Sequence, residues 1–95
     1  MTTNIQSVGY IIQDKQGNAI FGAGATVDAA WAQVVDGVGT FFNAYGDEKS
    51  ADDAYTEDFK TYGATAALLS KVEADGGAIE WDVVDGVACL PSEVE

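Results

Sequence analysis

The sequence predicts an α+β fold: an antiparallel sheet of four or five strands with two helices packed on one face. Three observations carry this. A β-rich stretch broken by turn residues opens the chain, two β-rich runs flanking Asp85-Gly86 close it, and the residues between hold two capped apolar patterns of helical spacing. The predicted order is β-β-α-β-α-β-β, and hairpins at both ends with helices between them close most economically as one layered sheet. The 95 residues form one domain, 1–95, around one core, since domains cluster at roughly 100 to 150 residues.

The first β run holds Ile5, Val8, Tyr10, Ile11 and Ile12; Asp14-Lys15-Gln16-Gly17-Asn18 supplies turn chemistry, and Ala19-Ile20-Phe21 returns as the second strand. Gly22-Ala23-Gly24-Ala25 then leads toward a helix. Gly-x-Gly between a strand and a helix invites comparison with a nucleotide-binding loop. The third glycine of that motif falls at Val27, however, and no basic residue is near. The glycines therefore read as a link that allows positive φ or close backbone approach.

Thr26 to Tyr45 is the longest periodic stretch, and the rest of the chain is organised around it. Val27, Trp31, Val34, Val35, Val38, Phe41, Phe42 and Tyr45 fall on one stripe of a helix. Thr26 caps its start and Asp28 suits the positive end of its dipole. Gly37 and Gly39 each weaken it by roughly 1 kcal/mol relative to alanine, so packing must hold it. Gly46 is placed to end it. Asp47 to Asp58 follows as an acidic loop or short polar helix, with six carboxylates and one lysine in twelve positions. Aligned from Asp47, its third, fifth and sixth positions are Lys49, Ala51 and Asp52, where a calcium loop requires acid or amide twice and then glycine, so that match fails.

Phe59-Lys60-Thr61-Tyr62 alternates as a short strand. Thr65 caps a second helix, Ala66 to about Asp75, with Leu68, Leu69 and Val72 on its buried side and Gly76-Gly77 as its stop. Asp85-Gly86 between Ile79–Val84 and Val87–Leu90 is the favoured pair for a two-residue type I′ turn, with Ile79, Trp81 and Val83 facing inward and Glu80 and Asp82 outward. Pro91 ends the strand and Ser92-Glu93-Val94-Glu95 is a fraying acidic tail. The expected core is Trp31, Val34, Val38, Phe41, Leu68, Leu69, Val72, Trp81 and Val83.

Composition narrows the function more than any motif does. Four lysines stand against sixteen carboxylates, a net charge of −12, with no arginine and no histidine. Affinity for nucleic acid and for anionic membranes comes largely from Lys and Arg, so a chain this acidic is a poor candidate for binding either directly, and its natural partners are basic surfaces. An apolar fraction of 47% with 11% aromatics separates the chain from disordered acidic tails. Met1-Thr2-Thr3-Asn4 is unlike a signal peptide and no apolar run suits a membrane span, which points to a cytoplasmic location. Cys89 is alone in an apolar run and reads as a small core residue. Without histidine, and with Ser7, Ser50, Ser70 and Ser92 outside any nucleophile elbow, the expectation is a non-enzymatic protein with no cofactor and no metal. Paired carboxylates such as Asp52 with Asp53 or Glu57 with Asp58 remain the one route to metal-dependent chemistry.

Charge is what remains. The candidate partner-binding residues are Asp47, Glu48, Asp52, Asp53, Glu57 and Asp58, with Glu80, Asp82 and Asp85 of the last hairpin. If these carboxylates share an edge, they imitate duplex DNA, which carries about one charge per 1.7 Å of axis.

Ala64-Thr65-Ala66-Ala67-Leu68-Leu69 through Gly76-Gly77, Trp81-Asp82-Val83-Val84-Asp85-Gly86-Val87-Ala88 and Ala29-Ala30-Trp31-Ala32 resemble small acidic proteins of phages and bacterial mobile elements. In size and charge the chain is similar to anti-CRISPR inhibitors. The resemblance implies an inhibitor that binds a basic nucleic-acid-handling protein, a CRISPR effector above all, through a DNA-mimic surface. It transfers no functional residue. The alternative is a structural interaction module or homodimer that uses an exposed hairpin edge, such as Val87 to Leu90.

Overall fold

The structure, a computed structural model, describes residues 5–15, 17 and 19–93. Met1–Asn4, the turn residues Gln16 and Asn18, and the tail residues Val94 and Glu95 lie outside the described residues.

The fold is α+β, and the described residues form a five-stranded mixed sheet, a separate two-stranded sheet and three α-helices. The expected opening hairpin is present: β1 (Gly9–Asp14) pairs antiparallel with β2 (Ile20–Gly24). Helix α1 (Val27–Val38) follows, with Thr26 Oγ1 accepting the Ala29 N–H at 3.1 Å as its N-cap. It ends earlier than the apolar rhythm implies. Gly39, at φ +81°, stops it by donating its N–H to Val35 O. The chain then turns into a small hairpin, β3 (Phe41–Phe42) against β4 (Glu48–Lys49). Gly46 therefore sits in the turn of that hairpin, at φ +83°, and not at a helix end.

The acidic stretch is structured. Its second half is helix α2 (Ala51–Asp58), capped by Ser50 Oγ, which accepts the Asp53 N–H at 3.2 Å. β5 (Phe59–Ala64) continues from it without a break and extends the expected strand by two residues. Helix α3 (Ala66–Asp75) starts on Thr65 and stops at Gly76 as expected. β6 (Asp82–Val84) and β7 (Val87–Cys89) form the closing hairpin, with Asp85 at φ 52° and Gly86 at φ 81°, both positive as a type I′ turn requires.

Two further expectations are corrected. The strand order is β2-β1-β5-β7-β6, and β5 pairs with β7 in parallel, Gly63 to Val87 and Ala64 to Ala88, so the sheet is mixed. Parallel neighbours need a crossover, and the stretch through α3 and β6 provides it. The helices also cover both faces. Ile11 and Ile12 are consecutive in β1, so they point to opposite sides, yet both are fully buried. Ile12 packs with Ala30 and Val34 of α1, Phe41 of β3, Ala54 of α2 and Phe59. Ile11 packs with Ile20, Ala64, Ala88 and Leu68 of α3.

Close approach is what the β2 glycines provide. A Cβ on Gly22 would stand 2.7 Å from Val34 Cγ2 and closer still to the Ala30 carbonyl oxygen, so α1 lies directly on the β2 backbone. On the first face Trp31 stacks on Phe41 at 5.6 Å and meets Tyr55 and Phe59 edge-on, an aromatic group at the junction of α1, α2 and β3. Of the expected core, Val34, Phe41 and Leu68 are buried, and Trp31, Leu69, Val72 and Trp81 are partly so. Val38 and Val83 are exposed, because α1 ends at the first and β6 is an edge strand at the second. Pro91–Glu93 forms a single 3-10 turn and Glu93 is not frayed: its Oε2 accepts the Thr65 hydroxyl at 2.8 Å and the Leu90 N–H at 2.7 Å.

Candidate acidic interface

The candidate acids divide by the elements that carry them. Asp47 and Glu48 belong to the β3–β4 hairpin, Asp52 and Asp53 to the first turn of α2, and Glu57 and Asp58 to its last turn. Glu80, Asp82 and Asp85 belong to the segment around β6, one of the two edge strands, whereas α2 packs against β5 at the centre of the sheet. The first six therefore lie on two consecutive elements, a hairpin and the helix that follows it, and the last three lie on another.

The two ends of α2 differ electrostatically. Asp52 and Asp53 lie at the positive end of the helix dipole, where carboxylates are stabilised. Glu57 and Asp58 lie at the negative end, where they are not, and there the chain spends two of its four lysines. Lys49 Nζ contacts Asp58 at 3.0 Å and Glu57 at 3.7 Å, with only 13% of its side chain exposed. The hydrogen bond to Asp58, reinforced by the charges of Asp58 and Glu57, holds the Lys49 ammonium above the usual lysine range against the opposing effect of burial. Lys15 donates to Thr56 O at 3.1 Å, which satisfies a carbonyl in the same last turn.

The other two lysines are also engaged. Lys71 pairs with Asp75 at 2.6 Å one helical turn away, and Lys60 lies over the Tyr62 ring at 5.1 Å. Among the described residues the ion pairs thus take up Glu57, Asp58 and Asp75, while Asp47, Glu48, Asp52, Asp53, Glu80, Asp82 and Asp85 are exposed and enter none. Sequence reasoning treated the six acids of residues 47–58 as equivalent; the structure separates a neutralised pair from an uncompensated set.

Other chemistry is sparse. Cys89 is buried, and burial, then the nearby carboxylates of Glu93 and Asp82, push its thiol above the ordinary value. Among the described residues no group of three or more His, Cys, Asp or Glu side chains is placed to hold a metal ion, and no helix is long and apolar enough to cross a membrane. β7 is paired on both sides, so Val87 to Leu90 is not an exposed edge. The true edges are protected. β6 is three residues long and carries Asp82, and on β2 the Ile20 N–H donates to Gly77 O at 3.0 Å and the Ala23 N–H to Gln33 Oε1 at 3.1 Å.

No protein-family model, no curated protein and no solved structure matches the chain.

Proposed function

We propose that the chain is a non-enzymatic inhibitor that binds a basic, nucleic-acid-handling protein and occupies the surface on which that protein holds its nucleic acid. A CRISPR effector is the partner class that the resemblance in size and charge favours. One observation carries the reading: every lysine has an intramolecular partner, while Asp47, Glu48, Asp52 and Asp53 stand exposed and uncompensated on neighbouring elements. Holding like charges together costs folding free energy, and a basic partner recovers that cost on binding. Sheet edges that are short or already hydrogen-bonded favour this over strand addition.

The test is capture from a host lysate at low salt on the immobilised protein, followed by competition with duplex DNA. The expected result is a basic protein that duplex DNA displaces. A variant with Asp47→Asn, Glu48→Gln, Asp52→Asn and Asp53→Asn should associate at least roughly tenfold more slowly, since steering by charge acts on the on-rate. Capture that neither DNA nor the fourfold change affects would refute the proposal.

A further inference from the structure

The β3–β4 hairpin sorts its side chains by face. Phe41 pairs with Lys49 and is buried against Trp31 and Phe59, whereas Phe42 pairs with Glu48 and both are exposed, Phe42 at 58%. Residues in register share a face, so the outward face sets an aromatic ring beside a carboxylate. The turn adds a second exposed ring, Tyr45 at 91% exposure.

This turn is fixed. Asn43 Oδ1 accepts the N–H groups of Tyr45 at 2.9 Å and Asp47 at 3.0 Å, the Asn43 N–H donates to Asp47 O at 2.9 Å, and the Gly46 N–H donates to Asn43 O at 3.1 Å. Tyr45 is held out in water by an ordered backbone, and two rings forgo the burial that drives folding elsewhere in the chain. A recess of about 690 Å³, lined by both rings, also holds Asp14, Glu57 and Asp58 with Lys15 and Lys49.

We propose that the outward face of this hairpin anchors an arginine-bearing segment of a partner protein. The guanidinium plane stacks on Phe42, the neighbouring Glu48 carboxylate accepts its N–H donors, and Tyr45 offers a second exposed ring on the same hairpin. Rings alone would suit any apolar partner; the Glu48 carboxylate beside Phe42 selects a cation. The planar fork of arginine stacks and hydrogen-bonds at once, which the compact ammonium of lysine cannot do. This inference rests on the basic-partner reading above and names the place and chemistry of contact.

The experiment titrates the intact protein at low salt with an oligoarginine peptide and, separately, an oligolysine peptide of equal length, and follows backbone amide shifts and affinity. Shifts concentrated at Phe41 to Lys49 and tighter binding of oligoarginine are expected. Tyr45→Ala and Phe42→Ala should each weaken oligoarginine about two- to fivefold, toward the oligolysine value, and Tyr45→Phe should retain it. Tyr45 is almost wholly exposed, so unchanged melting temperatures verify that these variants fold. Shifts confined to α2 and β6, or indifference to Phe42→Ala, would overturn the anchor while leaving the acidic-surface reading intact. If neither peptide binds, both readings fall.

Discussion

Gly22→Ala places a methyl group where α1 leaves no space. The new Cβ would lie 2.7 Å from Val34 Cγ2, inside the 3.4 Å at which ordinary contact begins, and nearer still to the Ala30 carbonyl oxygen. A backbone carbonyl cannot rotate aside as a side chain can. α1 must therefore retreat as a body, and with it Ala30 and Val34 withdraw from Ile12. Overpacking of this kind costs about 1–3 kcal/mol, and the rigid obstacle places Gly22→Ala near 3. For a domain of this size each kcal/mol shifts the melting temperature by about 4–8 °C, so a fall of roughly 12–24 °C is expected by circular dichroism or calorimetry. Gly37→Ala is the matched control. It lies inside α1 with nothing within 4 Å of the added methyl, and should stabilise the protein by about 0.5–1 kcal/mol through helix propensity alone. A Gly22→Ala variant that melts with the wild type, or the same sign for both changes, would refute the placement of α1 on β2.

Ile11→Ala and Ile12→Ala should each cost about 2–5 kcal/mol in denaturant titrations, because each leaves a cavity on its own face of the sheet; near-neutrality of either would show that face to be open. Thr65→Ala should cost about 2 kcal/mol, since the hydroxyl both caps α3 and donates to the Glu93 carboxylate, and an unchanged urea midpoint would contradict that double role. Cys89 gives a pH dependence. Its folded value is raised above the ordinary 9.0, so the unfolded chain releases the thiol proton first, and the stability contributed is complete below 9.0 and lost as pH rises through the folded value. Urea midpoints at neutral pH and at about pH 10 should therefore differ less in Cys89→Ala than in the wild type, and an equal alkaline loss in both would exclude the thiol as its source.

Local chemistry made part of this fold legible. Thr26 and Thr65 as caps, Gly76 as a stop and Asp85-Gly86 as a turn are each satisfied within a few residues, so sequence alone reveals them. The overlong helix had a different origin. Phe41, Phe42 and Tyr45 continue the helical rhythm of α1 by coincidence, while the chain has already turned at Gly39. Two signals were present but unread. Consecutive Ile11 and Ile12 are how a strand covered on both faces reads, and Ser50-Ala51-Asp52-Asp53 has the spacing of a capping box at the start of α2. The parallel pairing of β5 with β7 joins distant segments through no local pattern. At the site, the acids were evident from composition, but the pairing of Lys49 with Glu57 and Asp58 follows from β4 meeting the end of α2, which only the fold determines.

The salt dependence of the purified complex with the proposed basic partner tests the central claim most directly, with the association constant followed from about 50 to 200 mM salt. A steep fall is expected, made distinctly shallower when Asp47, Glu48, Asp52 and Asp53 become amides while the melting temperature confirms folding. A constant that stays level across that range, or a slope that the four changes leave untouched, would contradict it.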